Sequence, residues 1–212
     1  MSDRSHWEGI YETRSPESVS WFQPAPVRSL AMIRAAAADL TTPVIDVGGG
    51  ASVLVDELLK AGYLDLTVLD LAPAALEAAR ARLGAAAAKV RWVEGDIRTA
   101  PLSASHYGVW HDRAVFHFLT EAADRAAYVA QVERTVRPGG HVIIATFAED
   151  GPARCSGLPV VRYSPAALHR VLGPRFELLA SEREEHTTPA GGRQAFIYCL
   201  CRRLGAGVTR SS

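Results

Sequence analysis

Two periodicities alternate along the chain. Short apolar runs, the pattern of strands buried on both faces, are separated by stretches whose apolar residues recur every three or four positions, the pattern of amphipathic helices. The runs fall at 44–47, 66–70, 90–93, 107–112 and 141–147. A helix is predicted over 52–60, with Leu54, Val55, Leu58 and Leu59 inward and Gly62 as its stop. Another begins at Pro73, where a missing N–H costs least, and closes at Gly84. A third runs from a Thr120 cap to 136, followed by the turn Arg137-Pro138-Gly139-Gly140. Strands alternating with helices predict a parallel sheet with helical crossovers.

Both ends of the chain depart from that rhythm. The first 24 residues are irregular and rich in aromatics: Trp7, Tyr11, Trp21 and Phe22. Pro26 then opens a helix predicted to reach Asp39, with Val27, Leu30, Ile33 and Ala37 along one face, and Pro43 ends the segment. Near the other end, Ser164-Pro165 starts a helix that Gly173 stops. Two strands follow at 176–181 and 194–201, joined by a polar loop with Pro189, Gly191 and Gly192, so they must run antiparallel. The fold class is therefore α/β, a three-layer sandwich around a seven-stranded, mostly parallel sheet with a C-terminal antiparallel hairpin. The chain reads as a single domain. Residues 1–40 form an N-terminal lid and helix, 44–147 a ligand-binding core, 148–204 a substrate loop and the hairpin, and 205–212 a frayed tail.

Composition narrows the function. The 212 residues are 48% hydrophobic and 22% charged, with 23 basic and 23 acidic side chains. That balance lacks the broad basic field of nucleic-acid binders. No stretch approaches the ~20 apolar residues that span a bilayer, and residues 1–10 lack an apolar signal core. Three cysteines, Cys155, Cys199 and Cys201, show no CxxC spacing, so neither a disulfide framework nor a metal site is expected. Cys199 and Cys201 share one face of a strand and are read as core. A reducing cytoplasm fits that usage.

The chemistry gathers at strand ends. Asp46 closes the first strand two residues before Gly48, Gly49 and Gly50, and a helix follows. Glycines there allow a tight turn and close approach of a nucleotide-type ligand. The dinucleotide fingerprint would need glycine at 53, where Val53 stands. An anionic Asp46 would repel a pyrophosphate but suits a ligand with an ammonium and a sulfonium. Asp70 ends the second strand and is placed to accept from ribose hydroxyls, with Leu71 beside it. Asp96, after the third strand, is read as accepting from an adenine amino group, with Ile97 packed on the ring. In a parallel sheet these ends fall along one edge.

With those residues in view, the sequence resembles the class I, seven-β-strand, Rossmann-like S-adenosylmethionine-dependent methyltransferases. The resemblance lies in VIDVGGGASVLVDEL, VLDLAPAALEAAR, VEGDI, DRAVFHFL and the RPGG turn before HVIIATF, over roughly 44–147. It implies S-adenosyl-L-methionine as cofactor, S-adenosyl-L-homocysteine as product, and contacts at residues matching Asp46, Gly48, Gly50, Asp70, Asp96 and Ile97. Ser52 replaces the family's third glycine; serine is small and able to cap the helix. The segment HWEGIYETRSPESVSWFQ resembles a subgroup with protein-lysine and small bacterial methyltransferases. It implies that the N-terminal aromatics, Trp21 among them, form a lid, and aromatic faces favour a sulfonium.

The methyl acceptor is expected beside the fourth strand's end. Asp112 is read as orienting or deprotonating a nucleophile, with His111 or His117 as general base. Plainer readings stand beside these: an Asp112–Arg113 ion pair, and a core histidine at 117 between Phe116 and Phe118. The loop 148–163 is expected to face the substrate, while His186 and Gln194 flank the hairpin loop as surface residues. The expected reaction is in-line transfer of methyl to a small-molecule thiol, amine or hydroxyl. The alternatives are a protein-lysine N-methyltransferase and a non-catalytic cofactor-binding module.

Overall fold

The computed structural model describes residues 4–205, so most of the segment read as a frayed tail lies outside the described residues. The element order is α1 (Arg4–Thr13), α2 (Val27–Ala36), β1 (Val44–Val47), α3 (Leu54–Lys60), β2 (Leu66–Asp70), α4 (Pro73–Leu83), β3 (Val90–Glu94), β4 (Tyr107–Arg113), α5 (Ala122–Thr135), β5 (Val136–Phe147), β6 (Arg154–Cys155), β7 (Leu158–Pro159), α6 (Pro165–Leu172), β8 (Phe176–Thr187) and β9 (Arg193–Arg203). The main sheet has seven strands in the order β3-β2-β1-β4-β5-β9-β8. The first five are parallel, and β9 runs antiparallel to its neighbours β5 and β8. Strand order reverses between β1 and β4, so the crevice beyond their carboxyl ends is the place where such a sheet receives a ligand.

Each strand feeds two cores. Ile45, Val47 and Trp110 join Tyr128 and Val132 of α5 on one face of the sheet. Val44, Val68 and Val109 join Met32 and Ile33 of α2 and Leu54, Val55 and Leu58 of α3 on the other. Alternation of side chains along a strand makes this division unavoidable. It explains why the strand runs are apolar throughout rather than at every second position.

Several local expectations change. Helix α2 stops at Ala36 and buries Ser29, Met32 and Ile33, while Val27 is exposed. Of the predicted face, Ile33 and Ala37 are buried and Leu30 packs on the same core, so only Val27 departs, while Ser29 joins the buried side by meeting His111. Thr120 makes no cap; α5 begins after Glu121. The Arg137–Gly140 turn is absorbed into β5, whose pairing jumps from Tyr107↔Val136 to Val109↔His141. The hairpin is longer than the reading 176–181 and 194–201, and His186 pairs with Gln194 inside it. Both are buried rather than on the surface, because the N-terminal segment packs over them and His186 Nε2 meets the Ser20 carbonyl at 2.8 Å. By contrast, Ser164 caps α6 through Ala167, while the N-cap of α3 is Val53 and the Ser52 hydroxyl accepts from the Leu54 N–H at 3.1 Å.

Candidate functional site

The turn after β1 is shaped by its two neighbouring carboxylates. Gly48 has φ +67, a region that disfavours a side chain, and a Cβ there would lie 2.1 Å from Val115 Cγ2. A Cβ on Gly49 would lie 2.5 Å from Asp46 Oδ2, and one on Gly50 2.5 Å from Asp70 Oδ2. Gly49 and Gly50 therefore let carboxylates from β1 and β2 press against the turn, and Gly48 leaves room for Val115. Asp70 is buried, accepts from the Ala72 N–H at 2.9 Å, and has its carboxyl pushed up to about 6 by burial.

A cleft of about 760 Å³, partly open to solvent, opens over this edge. Val47, Gly48, Leu69, Asp70, Leu71, Asp96 and Ile97 form its sheet side. Trp7, Tyr11, Trp21, Phe118 and Cys155 form the opposite side. An adjoining cavity shares Tyr11, Trp21, Gly48 and Arg113 with the cleft and adds Ser29, Asp46 and Gly49. Gly50 lies just beneath, against Asp70 and Ala75. The aromatic wall is a packed unit: Trp7 meets Trp21 and Phe118 edge-on at 5.7 and 5.0 Å. Glu8 pins it by accepting from the first free N–H of α4, at Ala74, 3.3 Å away. Asp96 arrives already paired, since Arg98 grips both its oxygens and holds its carboxyl below the usual range despite partial burial. Burial lifts the Cys155 thiol to about 11, which keeps it protonated.

Alternation along β4 separates the residues read as catalytic. Trp110 and Asp112 face α5, and His111 and Arg113 face the N-terminal segment and β9. Asp112 is fully buried; one oxygen accepts from the Val115 and Phe116 N–H groups, the other from the Tyr128 hydroxyl at 2.7 Å. Burial lifts its carboxyl to about 6. Asp112 and Arg113 thus form no ion pair, and Asp112 lines neither cavity. His111 is buried between Asp46 Oδ1 at 2.7 Å and Ser29 Oγ at 2.9 Å. His117 has no exposure and packs on Phe118 and Phe147. Burial drives it down to about 3, and Nε2 has no hydrogen-bond partner among the described residues.

Arg113, read only as a possible partner of Asp112, instead lines both cavities. It donates to the Tyr198 hydroxyl and the Trp21 carbonyl, each at 2.9 Å, and stacks 4.3 Å over Phe196. Ser29 and Glu8 were also missed. Period-two counting from His111 would have placed Arg113 on its face, and a lone serine beside Met32 and Ile33 marks a polar contact inside a core. For Glu8, no local signal exists, because its partner is 66 residues away.

Residues 44–140 match the model of a methyltransferase domain. The biotin biosynthesis bifunctional protein BioCD of Bordetella avium is 33% identical over 136 residues, 63% of this chain and 28% of that protein. The ubiquinone biosynthesis O-methyltransferase of Pectobacterium carotovorum is 26% identical over 110 residues, 52% of this chain and 45% of that protein. This chain thus aligns with less than half the length of either relative. In the solved structures, 1,6-didemethyltoxoflavin-N1-methyltransferase of Burkholderia thailandensis, bound to its substrate and S-adenosylhomocysteine, has the same fold. Its TM-score is 0.72 at 19% identity, over 95% of this chain and 87% of that one. Fold, glycine turn and sequence match agree: residues 44–140 match a methyltransferase domain, and the sheet around them has the Rossmann-like fold of solved methyltransferases.

Proposed function

We propose that this protein transfers methyl from S-adenosylmethionine to a small-molecule acceptor by in-line displacement. The observation that carries this reading is that Asp70 and Asp96 line one cleft while Asp46 lines the cavity that adjoins it at Gly48. Asp46 Oδ2, pressed against Gly49, suits the ammonium of the amino-acid end. Asp70 accepts from the ribose hydroxyls, Leu71 and Ile97 enclose the base, and Asp96 keeps lone pairs for the adenine amino group while bound to Arg98. Trp21, Trp7 and Tyr11 cover the cleft, exclude water and offer ring faces to a sulfonium. When bound, S-adenosylmethionine supplies an electrophilic methyl group.

The chain's part in the reaction is alignment and desolvation. A base works best with a pKa near the working pH, whereas His117 lies at about 3 and away from both cavities. Asp112 holds the turn that carries Val115, and His111 holds Asp46. None of the three is assigned a proton-transfer role, which favours an acceptor nucleophilic without help, such as a thiol or amine. A small acceptor is favoured by the aromatic enclosure and by the small-molecule names of the relatives. Among the described residues no helix is long and apolar enough to cross a membrane. The three unbridged cysteines suit a cytoplasmic setting.

Calorimetry with S-adenosylhomocysteine, then methyl-labelled S-adenosylmethionine with thiols, amines, phenols and a lysine peptide, tests the reading. Binding with transfer to a small acceptor is expected. No binding overturns the function, binding without transfer leaves a non-catalytic module, and transfer to the peptide alone makes it a lysine methyltransferase.

A further inference from the structure

His111 joins the end of β1 to helix α2. Its Nδ1 lies 2.7 Å from Asp46 Oδ1 at the end of β1, and its Nε2 lies 2.9 Å from Ser29 Oγ on α2. All three side chains are buried, at 2%, 4% and 1% exposure respectively. A carboxylate only accepts, so Nδ1 carries the hydrogen, and in that tautomer Nε2 accepts from the Ser29 hydroxyl. The order Ser–His–Asp is that of a hydrolytic triad. Here, however, the serine lies in the first turn of α2 and is 1% exposed, whereas a nucleophile needs open approach.

The second oxygen of Asp46 shows what the chain of contacts does. Oδ1 is held by His111, while Oδ2 lies against Gly49, in a cavity that Ser29, Asp46, Gly49 and Pro26 all line. A free aspartate rotates about two side-chain bonds; this one is anchored at one oxygen and presents the other to the glycine turn.

We propose that His111 is a positioning residue. It holds the Asp46 carboxylate in the orientation that receives the ammonium of the amino-acid end of the cofactor, and it registers α2, the outer wall of that cavity, on the same carboxylate. This rests on the cofactor reading above. It assigns His111 to cofactor recognition and removes it from methyl transfer.

Two nucleoside probes isolate the effect. S-adenosylhomocysteine carries the ammonium; 5′-methylthioadenosine lacks the whole amino-acid end. His111→Gln loses the Nδ1 donor, whereas His111→Asn places an amide N–H near the Nδ1 position. His111→Gln is expected to weaken S-adenosylhomocysteine about tenfold or more, the usual effect of losing a hydrogen bond to a charged group. Binding of 5′-methylthioadenosine should change less than about twofold, and His111→Asn should recover much of the loss. In an Asp46→Asn background, His111→Gln should add less than about twofold, because its partner is already altered. Equal weakening of both probes, or full additivity with Asp46→Asn, overturns the proposal. If His111→Gln does not fold, His111→Asn and Ser29→Ala are compared on the same two probes, and equal weakening again overturns it. Absence of S-adenosylhomocysteine binding to the unaltered protein would overturn the cofactor reading instead.

Discussion

A buried carboxyl group exchanges its hydration for whatever donors the fold supplies, and Asp70 and Asp112 show two outcomes. Both are lifted from 3.8 to about 6, with burial as the leading cause. Each therefore holds its proton more tightly folded than unfolded. That contribution to stability is fully present below about pH 4 and is lost as pH rises to about 6. Asp70 faces the cleft, so a ribose bound to it requires the ionised form. Affinity for S-adenosylhomocysteine is expected to fall as pH drops through about 6, and Asp70→Ala should weaken it by ~1–3 kcal/mol and flatten the profile, read by calorimetry. Asp112 is sealed in by Tyr128 and the 115–116 N–H groups. Asp112→Asn should keep the methyl-transfer rate within about threefold, where loss of a general base costs ~10²–10⁴-fold. Urea unfolding of the same variant should show a smaller fall in stability between about pH 4 and about pH 6.

At the scale of elements, the N-terminal helix is attached to the core through a few long-range contacts. Helix α1 packs Trp7 on Phe118 and Trp21, and Glu8 occupies the N-terminus of α4. A carboxylate there meets both a free N–H and the positive end of the helix. Glu8→Ala should cost about 1 kcal/mol and raise amide hydrogen exchange across α1 while leaving β1 and β2 protected, measured by mass spectrometry. The strands themselves were legible because hydrophobic runs and glycine stops mark them locally. β1, β2, α4 and the cap at Ser164 fall where the pattern placed them. The burial of Ser29 on α2 was not legible, because its partner is His111 in the sheet, and the length of the hairpin was not, because the segment that meets His186 comes from the start of the chain.

For the whole molecule, cofactor binding and folding are linked, since the cleft draws on α1, the segment around Trp21, the ends of four strands and the segment bearing Cys155. A ligand that binds only the folded form at a hundred times its Kd adds ~2.7 kcal/mol. For a chain of this length that corresponds to a rise of roughly 5–10 °C in Tm. Calorimetric melting with S-adenosylhomocysteine at that excess should show it, and an unchanged Tm would count against a site built from so many segments.

The sequence by itself determined the alternation of strands and helices, the antiparallel final pair, and the carboxylates at three strand ends. Each of these follows from residue type at short range: apolar periodicity, a polar loop with no helix to cross over, glycine next to aspartate. Tertiary structure alone decided which face of β4 each side chain takes, and therefore that His111 turns to Asp46 while Asp112 turns to Tyr128. It also decided that Arg113 reaches the cleft and that Glu8 meets α4. A hydrogen-bond partner across 65 or 66 residues leaves no trace in local spacing, because the strand's two faces are equivalent until their neighbours arrive.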